Sequence, residues 1–325
     1  MKQWFFRFFI GIVLVVGGIL FAFSVFALVR ERDAGKTAAP DTGTFISAGD
    51  VELFVQTAGD KKNPPIMLVH GMAAWSETWR PVMEMLAERG WYVLAVDMPP
   101  FGFSERPEGG DFWRTAQAHR LNALLDTLAI QKITIVGHSY GSRSVLETAM
   151  RYPERVQALV LVDPALSGIY STTTTSSGAT TFLVNAVLRY PIIASTMTNP
   201  FLSRFLLAKF IHDPADASDE ILNVYRRPAT LRASTEDLGA WLRGFMTGKD
   251  MGLSSDRENY SSLKKVALIW GEEDTTTPLA QGEQLQKMIP KSTLVVIPNV
   301  GHIPQIEDTP AFNKALLKAL ASVSQ

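Results

Sequence analysis

Most of this chain sets short apolar runs between polar, turn-rich stretches, but its first thirty residues follow another pattern. From Phe8 to Val29 there is no charged residue, only Phe, Ile, Val, Leu, Gly, Ala and one Ser. As a helix those 22 residues span about 33 Å, enough to cross a hydrocarbon core of about 30 Å. The pattern predicts a transmembrane anchor. A cleaved signal peptide is the alternative, because Val25, Phe26 and Ala27 offer a cleavage site, but the run exceeds the usual signal core of about 7–15 residues. Residues 31–44 are polar, with Gly and Pro, and read as a linker.

Beyond the linker the periodicity changes. "VELFVQTAG" (Val51–Gly59) alternates like an antiparallel strand, whereas "IMLVH" (Ile66–His70) is wholly apolar, as in a strand covered on both faces. A helix is predicted over Ser76–Arg89, with Ser76 as its cap. Then follow "YVLAVDM" (strand), Phe112–Leu128 (helix), "KITIVG" (strand), Ser139–Arg151 (helix) and "VQALVLVD" (strand). Regular alternation of this kind implies crossover connections and a parallel sheet. After Asp163 it breaks. A Ser/Thr-rich run, "STTTTSSGATT", leads into helical stretches near Phe182–Arg189, Asn199–Ile211, Ala217–Tyr225 and Ser234–Met246, with no strand between them. The rhythm resumes with "VALIWG", a helix at Leu279–Met288, "TLVVIP" and a last helix over Pro310–Ala321. The economical reading is a helical insertion between two strands of one sheet.

Charge and composition mainly exclude. There are 31 basic and 32 acidic residues, without a basic stripe, so nothing points to nucleic acid. No cysteine is present, which removes disulfides, thiolate metal sites and a thiol nucleophile. No phosphate-loop motif or metal-ligand spacing occurs, and neither a cofactor nor a metal is expected. Lys2 and Arg7 precede the apolar segment, while Arg30, Arg32 and Lys36 follow it, so the positive-inside rule does not orient it. The short amino-terminal stub favours a soluble part on the non-cytoplasmic side; cleavage would instead give a secreted protein.

Candidate chemistry starts at "IVGHSYGSRSV" (Ile135–Val145). Gly137 and Gly141 flank Ser139 where a strand becomes a helix without a spacer. That context fits G-x-S-x-G, a sharp turn that exposes the serine and sets a helix N-terminus behind it. A serine nucleophile needs a base and an orienting acid. Of the five histidines, His302 lies in a glycine- and proline-flanked loop directly after the last strand, where open α/β sheets build their sites. His138 should point away from Ser139 within the turn. His70 ends a central strand, and His119 and His212 read as surface residues. For the acid, "GEEDTTTP" offers Glu272, Glu273 and Asp274 after one strand, and Asp163 after the preceding strand is the rival.

Several segments together resemble the α/β-hydrolase fold superfamily from about Phe45 to the carboxyl terminus. "HGMAAWSETW" resembles its His-Gly oxyanion loop, "DMPPFGFSERP" the loop after the fourth strand and "GHSYGS" its nucleophile elbow. "GEEDTTTP" resembles its acid loop and "GHIPQIEDTPAF" its histidine loop. The resemblance implies a catalytic set of Ser139, Asp274 and His302, with the backbone N–H groups of Met72 and Tyr140 as oxyanion donors. Ser142 departs from the further glycine that many members carry. The implied fold is a mostly parallel sheet of about eight strands flanked by helices, with a helical cap after the sixth strand and the N-terminal transmembrane helix in front. The expected domains are 1–30 anchor or signal, 31–44 linker, 45–164 with 257–325 core, and 165–256 cap. Members with an aspartate nucleophile open C–halogen bonds or epoxides; a serine implies acyl transfer. The expected activity is therefore hydrolysis of a small-molecule acyl ester, a lipid-like ester among the candidates, through an acyl-enzyme. C–C bond hydrolysis, cofactor-free peroxidation and a non-catalytic ligand receptor stay open as alternatives. The large apolar residues of the insertion, among them Phe182, Leu188, Phe201, Phe205, Leu206, Phe210, Trp241 and Phe245, predict a mostly apolar site; Arg204, Arg226 and Arg227 are the charges that could meet a carboxylate.

Overall fold

A computed structural model describes residues 2–166, 169 and 185–324; the Ser/Thr-rich run and Phe182 lie outside them. The first helix, α1 (Lys2–Arg30), is long and apolar enough to cross a membrane and is exposed along most of its length. Its carboxyl end is docked instead: Ala27 and Glu31 are buried.

Eight strands form one sheet: β1 (Gly43–Ala48), β2 (Val51–Ala58), β3 (Pro65–Val69), β4 (Tyr92–Val96), β5 (Ile133–His138), β6 (Val156–Val162), β7 (Val266–Gly271) and β8 (Thr293–Ile297). Their order is β1-β2-β4-β3-β5-β6-β7-β8. The first two run antiparallel to their neighbours and the rest are parallel. Every residue of β4, β5 and β7 is buried, as the unbroken apolar runs predict for strands covered on both faces.

Helices α3 (Arg114–Thr127), α4 (Gly141–Arg151) and α9 (Leu279–Met288) cover one face, through Leu121, Leu124, Val145, Leu146 and Leu285. Helices α2 (Arg80–Glu88) and α10 (Thr309–Ser324) cover the other, through Val82, Leu86, Phe312 and Leu316. Ser76 does not cap a helix. It sits inside the 3₁₀ turn Ser76–Trp79 that leads into α2, and its amide is taken by the carboxylate of Asp97.

Between β6 and β7 the described chain carries four helices: α5 (Ala186–Ser195), α6 (Ser203–Leu207), α7 (Asp219–Arg226) and α8 (Ser234–Met246). The stretch Asn199–Ile211 is helical over only five residues, because Pro200 and successive tight turns interrupt it. The return path to the sheet is held by buried charge. Asp250 accepts from the Arg114 amide (2.8 Å) and Nε (3.2 Å), and from Arg143 Nη1 (2.9 Å), which ties it to α3 and α4. Burial alone would raise the Asp250 carboxyl, but the two guanidinium groups bring it below its ordinary value.

Candidate active site

Sheet topology sets the site at the carboxyl ends of β3, β5, β7 and β8. After β5 the chain turns at Ser139 with φ +49°, a strained left-handed value for a residue with a side chain, and enters α4 two residues later. The flanking glycines permit this turn by close approach. A Cβ on Gly137 would stand 3.1 Å from Cα of Ser142, and one on Gly141 would press into the backbone of His70. Ser139 is thus fixed by the fold before any partner is considered.

The three predicted side chains converge. His302 Nε2 stands 2.7 Å from Ser139 Oγ, and His302 Nδ1 stands 2.7 Å from Asp274 Oδ2. With Asp274 ionised, Nδ1 carries the proton and donates to it, which leaves Nε2 to accept from the serine hydroxyl. Asp274 also receives the amides of Thr276 (2.7 Å) and Thr277 (2.9 Å) and the Thr277 hydroxyl (2.6 Å). Burial works to raise its carboxyl, but His302 and Thr277 outweigh it and hold Asp274 below its ordinary value. Glu272 and Glu273 point to solvent.

Asp163 is placed differently. Fully buried at the end of β6, it accepts the Gly271 amide at 2.9 Å and does not reach the imidazole. Burial first, then the neighbouring Asp274 charge, push its carboxyl well above the ordinary range, toward the protonated form. A neutral acid beside an ionised one avoids two adjacent buried charges.

Met72 and Tyr140 follow His70-Gly71 and the serine respectively, and neither backbone amide donates a hydrogen bond among the described residues. The Tyr140 ring is buried edge-on against Trp241, with centroids 5.0 Å apart, and close to Phe101 and Phe245.

Two further histidines brace these elements. His70 Nδ1 donates to the Gly71 carbonyl (2.8 Å), and its Nε2 accepts the Met98 amide (2.9 Å), which pins the loop that carries Met72. His138 Nε2 donates to the carbonyl of His302 (2.7 Å), so it points away from Ser139 and holds the histidine loop. Burial depresses both, His70 to about 4 and His138 to about 3, and keeps them neutral. Glu307 is a third brace that the sequence did not single out. Its carboxylate accepts the amides of Gly301 (2.8 Å), Ile303 (2.8 Å) and His212 (2.7 Å), and the His302 amide donates to the Phe210 carbonyl at 2.8 Å. The signal available in sequence was only an acidic residue five positions after His302.

Ser139 and His302 open into a cavity of about 450 Å³, within the range of small-molecule sites. Its lining is mostly apolar. Met72, Met197, Leu206, Leu207, Phe210 and Leu238 contribute, with Arg30, Arg106 and Arg226 as its charged members. Of the apolar residues singled out in the insertion, Leu206 and Phe210 face this cavity. Trp241 and Phe245 pack behind Tyr140, and Leu188, Phe201 and Phe205 are exposed. Arg204 pairs with Asp219 outside, and Arg227 lies over Trp75 and Phe103.

Comparison with known proteins shows the fold family. A family model described as alpha/beta hydrolase fold matches residues 64–309. The chain is 30% identical over 281 residues to a 2-hydroxymuconate semialdehyde hydrolase of Pseudomonas sp. CF600, covering 84% of this chain and 92% of the relative. It is 28% identical over 287 residues to a 2-hydroxy-6-oxo-2,4-heptadienoate hydrolase of Pseudomonas putida, covering 87% and 97%. Among solved structures, a meta-cleavage product hydrolase from Pseudomonas fluorescens IP01 superimposes with a TM-score of 0.71 at 25% identity, covering 86% of this chain and 98% of that one.

Proposed function

The chain belongs to the α/β-hydrolase fold family, and on that premise we propose that it is a serine hydrolase that cleaves an acyl ester through Ser139. The observation that carries the proposal is the continuous chain Ser139–His302–Asp274, with both contacts at 2.7 Å, at the floor of a mostly apolar cavity. In this reading Ser139 Oγ attacks the ester carbonyl while its proton passes to His302 Nε2. The imidazolium so formed is stabilised by Asp274, and the tetrahedral oxyanion sits against the amides of Met72 and Tyr140. His302 then protonates the departing alcohol. Water, activated by the same imidazole, attacks the acyl-enzyme and releases the acid and Ser139.

Residues 165–256 act as the cap over this site, and α1 is retained as a membrane anchor that holds the catalytic part on the non-cytoplasmic side. The docking of Ala27 and Arg30 against the insertion supports retention of α1.

One observation favours a second reading. Among the described residues that line the cavity Arg226 makes no ion pair with a carboxylate, whereas Arg30 and Arg106 are paired with Glu31 and Asp237, and the substrate named for one relative is a 2-hydroxy-6-oxodienoate. Hydrolysis of such a ketone breaks a C–C bond with the same serine, base and oxyanion donors.

The test is turnover of p-nitrophenyl esters and of a 2-hydroxy-6-oxodienoate by the wild type and by Ser139→Ala. Wild type should cleave the esters, and the alanine variant should lose at least about 10³-fold while keeping its fold. Undiminished rates in the variant would sink the mechanism. Turnover of the dienoate alone would replace the ester by the C–C bond.

A further inference from the structure

Outside α1, the exposed large apolar side chains include four on α5 and the α6 segment, Val187, Leu188, Phe201 and Phe205, while Met251, Leu253 and Val296 lie apart from them in the chain. Phe201 and Phe205 are 76% and 59% exposed, and they belong to the segment whose Ser203, Leu206 and Leu207 line the cavity. One wall thus shows an apolar face inward and another outward. Val187, at the start of α5, is 79% exposed. Single exposed apolar residues are ordinary, but a group on one rim marks a surface that meets something apolar.

Its neighbour indicates what that is. Phe26 in the last part of α1 stacks on Phe201 with ring centroids 6.0 Å apart, and α1 lies along α5. One turn on, Arg30 Nε donates to the Ala229 carbonyl (3.1 Å), Nη1 to the Thr198 carbonyl and Nη2 to Glu31 (2.8 Å). Glu31 in turn accepts the amide and hydroxyl of Thr235. Arg30, Thr198 and Ala229 all line the cavity. The end of the apolar helix is therefore built into the cavity wall, and the exposed rings flank the point where that helix meets the catalytic part. Lys209 Nζ lies over the Phe205 ring at 4.9 Å, a cation–π contact that sets a positive charge beside the exposed rings.

We infer that the cavity is fed from the bilayer: the rim of α5 and α6 rests in the lipid interface, and the substrate is an ester carried by a membrane lipid rather than a solute. The inference rests on the serine-hydrolase reading and on α1 as a membrane span. Ligand entry then requires no transfer of an acyl chain through water, because rim, cavity and anchor share one level of the interface.

The absence of cysteine makes a direct test clean. Full-length Phe201→Cys, Phe205→Cys and, on the opposite end of the sheet, Glu154→Cys would each carry a nitroxide in lipid nanodiscs. Labels at 201 and 205 should be more accessible to oxygen than to a water-soluble nickel chelate, at a depth of about 5–10 Å, and the label at 154 should show the reverse. Equal nickel access at all three sites would overturn the inference, whatever the catalytic outcome. The second arm compares the unlabelled Phe201→Ser/Phe205→Ser double variant with wild type. Its rate on soluble p-nitrophenyl butyrate should stay within about twofold, while its rate on a phospholipid ester in vesicles should fall at least about tenfold. Equal change on both substrates would overturn lipid delivery. Loss of all turnover in wild type would instead remove the hydrolase reading and leave the labels to decide the rim.

Discussion

The two buried aspartates at adjacent strand ends should respond in opposite ways to the same substitution. Asp274→Asn replaces the ionised partner of His302 with a neutral amide. The imidazolium formed on proton transfer then loses its counter-charge, and the amide can stabilise the wrong tautomer of His302. A loss of about 10⁴-fold in kcat follows, equivalent to about 5.5 kcal/mol. Asp163→Asn should change the charge of the site little, because burial and the Asp274 charge already push that carboxyl toward its protonated form. The asparagine Oδ1 can still accept the Gly271 amide, which donates to Asp163 at 2.9 Å in the wild type, so kcat should stay within about threefold. Stability should even improve. A carboxyl whose folded pKa is raised keeps its proton in the native state while the unfolded chain releases it. Wild type therefore loses stability as pH rises from about 4 through that raised value, by about 1.4 kcal/mol per unit. Asn carries no such dependence, so Asp163→Asn should melt higher than wild type at pH 7.5 and should lose that advantage at pH 4. Steady-state ester hydrolysis and calorimetric melting of both variants across this range provide the check. A collapse of kcat in Asp163→Asn with near-normal turnover in Asp274→Asn would move the acid to β6 and refute the assignment.

Asp250→Asn should lower the melting temperature by on the order of 10 °C, since it leaves Arg114 and Arg143 buried without their shared carboxylate; a shift under about 2 °C would show the network to be energetically idle. Glu307→Gln, which cannot accept from Gly301, Ile303 and His212 together as the carboxylate does, should reduce kcat about 10- to 100-fold with little change in KM, and an unchanged kcat would remove Glu307 from the catalytic apparatus. Gly71→Ala would set its Cβ 2.8 Å from His138 Nδ1 and 3.0 Å from Ser139 Cβ, so phosphonylation of Ser139 by a fluorophosphonate should slow at least about tenfold; full labelling speed would mean that this loop yields freely.

Legibility followed the distance over which each feature is determined. Strands β2 to β8 could be read because apolar runs and their turns are local, and Ser139 because its glycines and the strand-to-helix junction are contiguous. Strand β1 was absorbed into the linker and the start of the core: it is a short edge strand with one fully buried residue, and its alternation is weak. The roles of His70 and His138 were not legible, since each depends on a partner far along the chain, Met98 for one and the carbonyl of His302 for the other. Ser76 misled for the same reason, its amide being satisfied by Asp97 rather than by helix geometry. Asp274 was preferred to Asp163 through the resemblance of its loop, whereas composition and spacing left both open, because the contact depends on which strand end the histidine loop reaches.

The carboxylate of Glu307 gathers amides from the histidine loop and from His212 in the insertion, while His302 itself donates to Phe210 on that same insertion. Roof and base are consequently one mechanical unit. A shift of residues 210–212 would therefore be felt directly by the loop that holds the imidazole beside Ser139.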